Sequence, residues 1–145
     1  MTARSVTVVQ QLRQHAVALI SLVIAVTTLG YNTWRNEVTE HNRNIRAAAF
    51  EVLKNLGELQ LIVNQAHYGD RRLRVDPLRG WGHVALIFDL SQLLPPAAPA
   101  AAADVRNAWE QNWQRVTTDE SAVESVSHEI DSAREAVLDV LHNLH

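Results

Sequence analysis

The sequence predicts an all-α protein: one N-terminal transmembrane helix continues into a long stalk helix, which packs with three further helices as an antiparallel four-helix bundle. Three observations predict it. An uncharged apolar stretch lies near the N-terminus, apolar residues recur at spacings of 3 and 4 through much of the rest, and the chain offers no convincing pair of strands.

The anchor comes first in chain order. Residues 16–29 read AVALISLVIAVTTL, with Ser21, Thr27 and Thr28 as the polar members. Their hydroxyls can donate to carbonyls one helical turn back, which makes them tolerable in lipid. Continued to Trp34, the uncharged stretch has 19 residues, close to the roughly 20 that span a hydrocarbon core. Tyr31 and Trp34 then fall where aromatic side chains favour the membrane interface, and Arg13 and Arg35 bracket the segment. A cleaved signal peptide is the main rival, but the apolar run passes into Tyr31, Asn32, Thr33, Trp34 and Arg35 without an Ala-x-Ala site. A buried core helix is the second rival. The chain thus divides into an N-terminal tail, 1–14, a transmembrane helix, 15–34, and a helical bundle domain, 35–145.

Within that domain, helices are expected at about 35–68, 83–94, 99–117 and 120–143. Ile45, Ala48, Val52, Leu56, Leu59, Val63 and Ala66 form an apolar stripe on the first, and no proline interrupts residues 35–68. Continuing from the anchor, this helix would reach roughly 50 Å beyond the membrane. Gly69 with Asp70, then Asp76 with Pro77, end it in a turn. Residues 83–94, HVALIFDLSQLL, form a short apolar helix, and prolines 95, 96 and 99 punctuate the chain before the third. Val123, Val126, Ile130, Ala133, Val137, Val140 and Leu144 alternate spacings of 3 and 4 along the last helix. A break near residues 117–120 is expected because Thr117 with Glu120, and Ser121 with Glu124, have capping-box form. An unbroken helix of roughly 66 Å would also overshoot its neighbours.

Composition narrows the chemistry. The chain has no cysteine, so disulfides and thiolate metal sites are excluded. The net charge of -3 is unevenly spread: residues 35–79 carry eight basic and six acidic side chains, residues 80–145 three and ten. Such an acidic C-terminal half is the wrong surface for nucleic acid.

Candidate sites follow the turn chemistry. Arg71, Arg72, Arg74 and Arg79, with Trp81 close behind, form a patch suited to an anion or an acidic partner, since the guanidinium fork matches carboxylate and phosphate. The plainer reading is a solvated turn that pairs with the acidic half. Gly80, Trp81, Gly82 and His83 read as a tight turn with the indole capping the core. Trp109 and Trp113, one turn apart, are expected to pack against the 83–94 helix. His142 with His145, and Glu124 with His128, have spacings that can share a metal, and His67 with His83 is the pairing a haem would need. None is assigned a cofactor, and no phosphate loop, serine elbow or catalytic set is legible.

The run GYNTWRNEVTEHNRNIRAAAFEVLKNLGELQ, residues 30–60, resembles the opening of a group of uncharacterised small single-pass inner-membrane proteins of proteobacteria. The likeness is most specific at Trp34, Arg35, Asn36 and Glu37 and at Asn42, Arg43 and Asn44, and covers about residues 1–90. It implies a bacterial inner membrane and no activity.

The expected function is a membrane-anchored helical interaction or scaffolding module without enzymatic activity, whose partners are the lipid bilayer and a protein or a second copy of the chain. The alternatives are a small-ligand-sensing bundle acting through a partner, and a metal- or haem-binding membrane subunit. Counting Arg35, Arg43, Arg46 and Lys54 against Arg4 and Arg13 would hold the domain in the cytoplasm, but long domains cross with little regard to charge. The expectation adopted places it outside.

Overall fold

Helix propensity and the absence of breakers set the first element. No proline lies between residues 8 and 68, and α1 runs unbroken over Val8–Tyr68. It stops at Gly69, whose N–H donates to the Gln65 carbonyl at 3.1 Å. A Cβ at Gly69 would collide with that same carbonyl, so glycine is what permits the stop. The computed structural model describes residues 8–70 and 74–144, with side chains from His15 onward except that of Val38. Helices joined by turns make up the described residues, with no strand among them: α2 covers Gly80–Ser91, α3 Ala97–Asn112 and α4 Glu120–Asn143, and a 3-10 turn at Pro77–Arg79 leads into α2.

Internal contacts divide the chain into two units, Met1–His41 and Asn42–His145. The first holds the apolar stretch. Val17, Leu19, Ile20, Leu22, Val23, Ile24, Val26 and Leu29 are all exposed, and no residue in the most apolar window of the helix is buried. The hydroxyls of Ser21, Thr27 and Thr28 donate to the carbonyls of Val17, Val23 and Ile24 at 2.7–2.9 Å, so each polar group is satisfied within its own helix. By length and composition this helix is able to cross a membrane. It starts at Val8, ahead of the apolar stretch: residues 8–14, VVQQLRQ, contain no breaker and simply extend the helix.

The second unit is built around one apolar cluster. All seven residues of the α1 stripe are buried in it, and Ala49 and Ile62 widen the buried face beyond a narrow seam. On α4, Val123, Val126, Ile130, Ala133, Val137 and Val140 are buried, joined by Ala122. Val84 and Ile87 of α2, Ala98, Ala102, Val105, Ala108 and Trp109 of α3, and Leu94 and Val116 in the connections fill the remainder. Each fully buried aliphatic side chain contributes about 1.5–3 kcal/mol. α2 packs on α3 and α3 on α4. Gln60 of α1 donates to the Ser127 hydroxyl of α4 at 2.9 Å, and His83 of α2 meets Asn55 of α1, also at 2.9 Å.

Helix boundaries differ from expectation for local reasons. α2 begins at residue 80 and ends at residue 91, because the Asp76 carboxylate accepts the Leu78 N–H at 2.9 Å and starts the turn that α2 continues. Gly80, Trp81, Gly82 and His83 are therefore the first turn of a helix and not a tight turn. α3 starts at Ala97, ahead of Pro99, which falls where no backbone donor is needed. It ends at Asn112, not 117, and residues 113–118 form turns in which Arg115 and Val116 both donate to the Asn112 carbonyl. The cap of α4 is Asp119, neither Thr117 nor Ser121. Its Oδ1 accepts the Ser121 N–H at 3.0 Å and the Ser121 hydroxyl at 2.7 Å.

Candidate interaction surface at the arginine and tryptophan turn

Three contacts bring His67, Trp81, Trp109 and Trp113 to one end of the helical domain. The His67 ring, at the end of α1, donates through Nδ1 to the Val116 carbonyl at 2.8 Å. The Trp81 ring, at the start of α2, meets Trp113 edge to face, with centroids 6.4 Å apart. Gly80 presses on the six-membered ring of Trp109, which is fully buried. The end of α1, the start of α2 and the α3–α4 turn are thereby neighbours.

On this end Arg74 and Arg79 are exposed and Trp81 is half-buried. Arg71 and Arg72 lie outside the described residues. Exposed Leu78, 57% accessible, stands between Arg74 and Trp81 in the chain, and Tyr68, 64% accessible, packs its ring edge to face on His67. Among the described residues no acidic side chain lies within ion-pairing distance of Arg74 or Arg79. Arg74 and Arg79, two of the cations expected to pair with the acidic half, are thus turned to solvent. Arg115, in contrast, is held in place: it bonds Asn112 Oδ1 and lies 3.5 Å from the Asp119 carboxylate. The Ser121 hydroxyl and N–H, with Arg115 beside it, keep the Asp119 carboxyl below the usual carboxylate range.

Exposed guanidinium groups beside half-buried indoles can do two things chemically. They bind carboxylate or phosphate oxygens through paired N–H donors, and the ring edges offer apolar area to the body of the same partner. Phe88 and Arg106 show the related arrangement on the α2–α3 surface, with the guanidinium carbon 4.0 Å from the ring centroid.

The other residues singled out in the sequence separate. Trp109 belongs to the core and packs against Gly80, while Trp113 packs against Trp81. Trp109 Nε1–H is buried and meets no acceptor among the described residues. His83 donates through Nδ1 to Asn55 Oδ1, and the Asn55 amide donates back to the Glu51 carbonyl at 2.8 Å. His67 and His83 thus each hold together two elements through Nδ1. No three metal-ligating side chains come together among the described residues. The Asn55–His83 pair had no sequence signal, because a lone asparagine in an apolar stripe looks like any solvent-facing position. Tyr31 and Trp34 are exposed, with ring centroids 6.2 Å apart, and Arg35 is exposed. The Arg13 side chain lies outside the described residues.

A groove of about 530 Å3 opens between the start of α3 and the end of α4. Pro95, Ala97, Ala136 and Val140 give it an apolar lining, with Glu135 and Asp139 beside them. No known protein family, curated protein or solved structure matches this chain.

Proposed function

We propose that the chain is a single-pass membrane protein of the bacterial inner membrane that presents a helical interaction module outside the cytoplasm and catalyses no reaction. In this reading residues 42–145 close as an antiparallel four-helix bundle, and Arg74, Arg79 and Trp81, with Arg71 and Arg72 in the same turn, dock an acidic protein partner. The carrying observation is that residues 17–29 form an exposed apolar run, and that the core of the second unit is complete without it. An apolar face of that size is unfavourable in water and favourable in a bilayer. The resemblance of residues 30–60 to small inner-membrane proteins agrees with this placement.

Cell fractionation with crosslinking tests the reading. The chain should sediment with membranes and resist alkaline extraction, and mass spectrometry of crosslinked membranes should find a partner that Arg74→Glu with Arg79→Glu loses. Recovery from the soluble fraction would remove the anchor; capture unaffected by the double variant would remove the docking surface.

The groove beside α4 favours a second reading, a ligand-sensing module. Its apolar lining with Glu135 and Asp139 suits a small apolar molecule bearing a cationic group. A thermal-stability screen against cationic amphiphiles tests it, and an unchanged Tm counts against it.

A further inference from the structure

The outward face of α1 in the second unit carries a seam that the domain's own core does not use. Phe50, Lys54, Gly57, Leu61, Asn64 and Tyr68 follow one another at spacings of 4, 3, 4, 3 and 4, and all are exposed. That alternation is the a/d register of a coiled coil. It lies on the side of α1 opposite Val52, Leu59 and Ala66, which are buried. Phe50, Leu61 and Tyr68 leave 57%, 48% and 64% of their surface uncovered.

Gly57 sits at the middle of this seam. A Cβ there would meet nothing within 4 Å, so among the described residues no contact asks for glycine. Glycine lowers the stability of a helix interior. What it offers in return is close approach of another backbone.

The charges beside the seam select the partner. Arg46 is exposed on one flank, and Glu51 and Glu58 are exposed on the other. When two such helices pair in parallel about a two-fold axis, the basic flank of each faces the acidic flank of the other, and Arg46 falls opposite Glu51 of the second copy. An antiparallel pair would set acid against acid. Lys54 is drawn along its own helix to Glu51, at 3.5 Å, which turns its charge from the seam towards the acidic flank.

We infer that a second copy of this chain covers the seam, forming a parallel pair through α1 with its closest approach at Gly57. The seam extends over roughly 28 Å, which is small for a free interface. Pairing therefore rests on the membrane-anchor reading above, since a shared bilayer gives both copies one orientation and a high effective concentration.

The chain has no cysteine, so single-cysteine variants report cleanly. Leu61→Cys should give disulfide-linked dimer in native membranes at several-fold higher yield than Asp104→Cys, an exposed position on α3. Gly57→Glu, placed in the Leu61→Cys background, puts a charge at the centre of the seam and should lower that yield while circular dichroism stays helical. Arg46→Glu and Glu51→Arg should each lower it as well, and the two together should restore it. Equal yields at positions 61 and 104, or charge variants that add without rescue, would overturn the pairing. Alkaline extraction of the same membranes separates the two failures: a chain that stays in the membrane yet crosslinks equally at both positions refutes the pair alone, whereas a chain that is extracted refutes the anchor and the pair that depends on it.

Discussion

Gly80 and Trp109 show how much of this domain turns on single atoms. Trp109 is fully buried, and a Cβ on Gly80 would lie 2.7 Å from its Cη2 and 2.9 Å from its Cε2. Where an exposed side chain could swing aside, this ring is enclosed by the core, so the added methyl must displace α2 or α3. Gly80→Ala should therefore cost about 1–3 kcal/mol, the range for overpacked cores. Gly82, two residues on, is exposed and has nothing within 4 Å of its Cβ position. Gly82→Ala should be neutral or slightly stabilising. Urea unfolding of the two variants checks the contrast, and equal midpoints would show that the Trp109 contact does not constrain the fold. The sequence shows two glycines around one tryptophan and cannot say which is constrained, because the constraining ring lies 29 positions further along the chain.

At the scale of the element, periodicity and capping chemistry explain most of what forms, and tertiary contacts explain where it stops. The stripes on α1 and α4 are legible because each follows one helix face without exception, and the structure buries all of them but Leu144, which caps α4 and is partly covered. The ends are less legible. Thr117 and Ser121 both have glutamate three residues on, yet the Asp119 carboxylate takes the cap, because residues 113–118 are wound into turns that deliver Asp119 in an extended conformation. Of the candidate surface, the cations and Trp81 are visible in sequence as a turn composition. Its second wall, Trp113, depends on the α3–α4 turn returning to the start of α2, which no local pattern encodes. The cap gives an acid-sensitive prediction. Hydrogen bonds from Ser121 and the charge of Arg115 lower the Asp119 pKa in the folded state, so its contribution is present above the unfolded carboxylate value. It is lost as pH falls through the folded one. Asp119→Ala should lower Tm at neutral pH and flatten its dependence below about pH 4. Asp119→Asn keeps an acceptor at the cap and should hold Tm near the parent while losing the same acid step. A parent and an Asp119→Ala variant with identical pH profiles would sink the assignment.

For the whole molecule, the division of labour within α1 decides how the chain behaves when cut. Its first part exposes the aliphatic side chains of residues 17–29 and contributes none of them to the core, which begins at Ile45 and ends at Val140. If that core is self-sufficient, a fragment of residues 36–145 keeps every buried side chain and discards the surface least compatible with water. It retains α2, α3, α4 and the core-bearing part of α1, and its acidic excess favours solubility. The fragment should therefore be soluble without detergent and unfold cooperatively, with a Tm within a few degrees of the full chain in detergent. The full chain should require detergent or lipid throughout. Far-ultraviolet circular dichroism on heating, together with sedimentation, measures both properties. An aggregated or non-cooperative fragment would mean that residues 8–35 stabilise the domain directly. The exposed apolar run would then need explaining as part of a fold and not as an anchor. The same fragment also separates anchor from seam: it retains Phe50, Gly57, Leu61 and Tyr68 but not the apolar segment. Loss of dimer on removing residues 1–35, with the seam intact, would show that pairing draws on a shared bilayer more than on the contacts themselves.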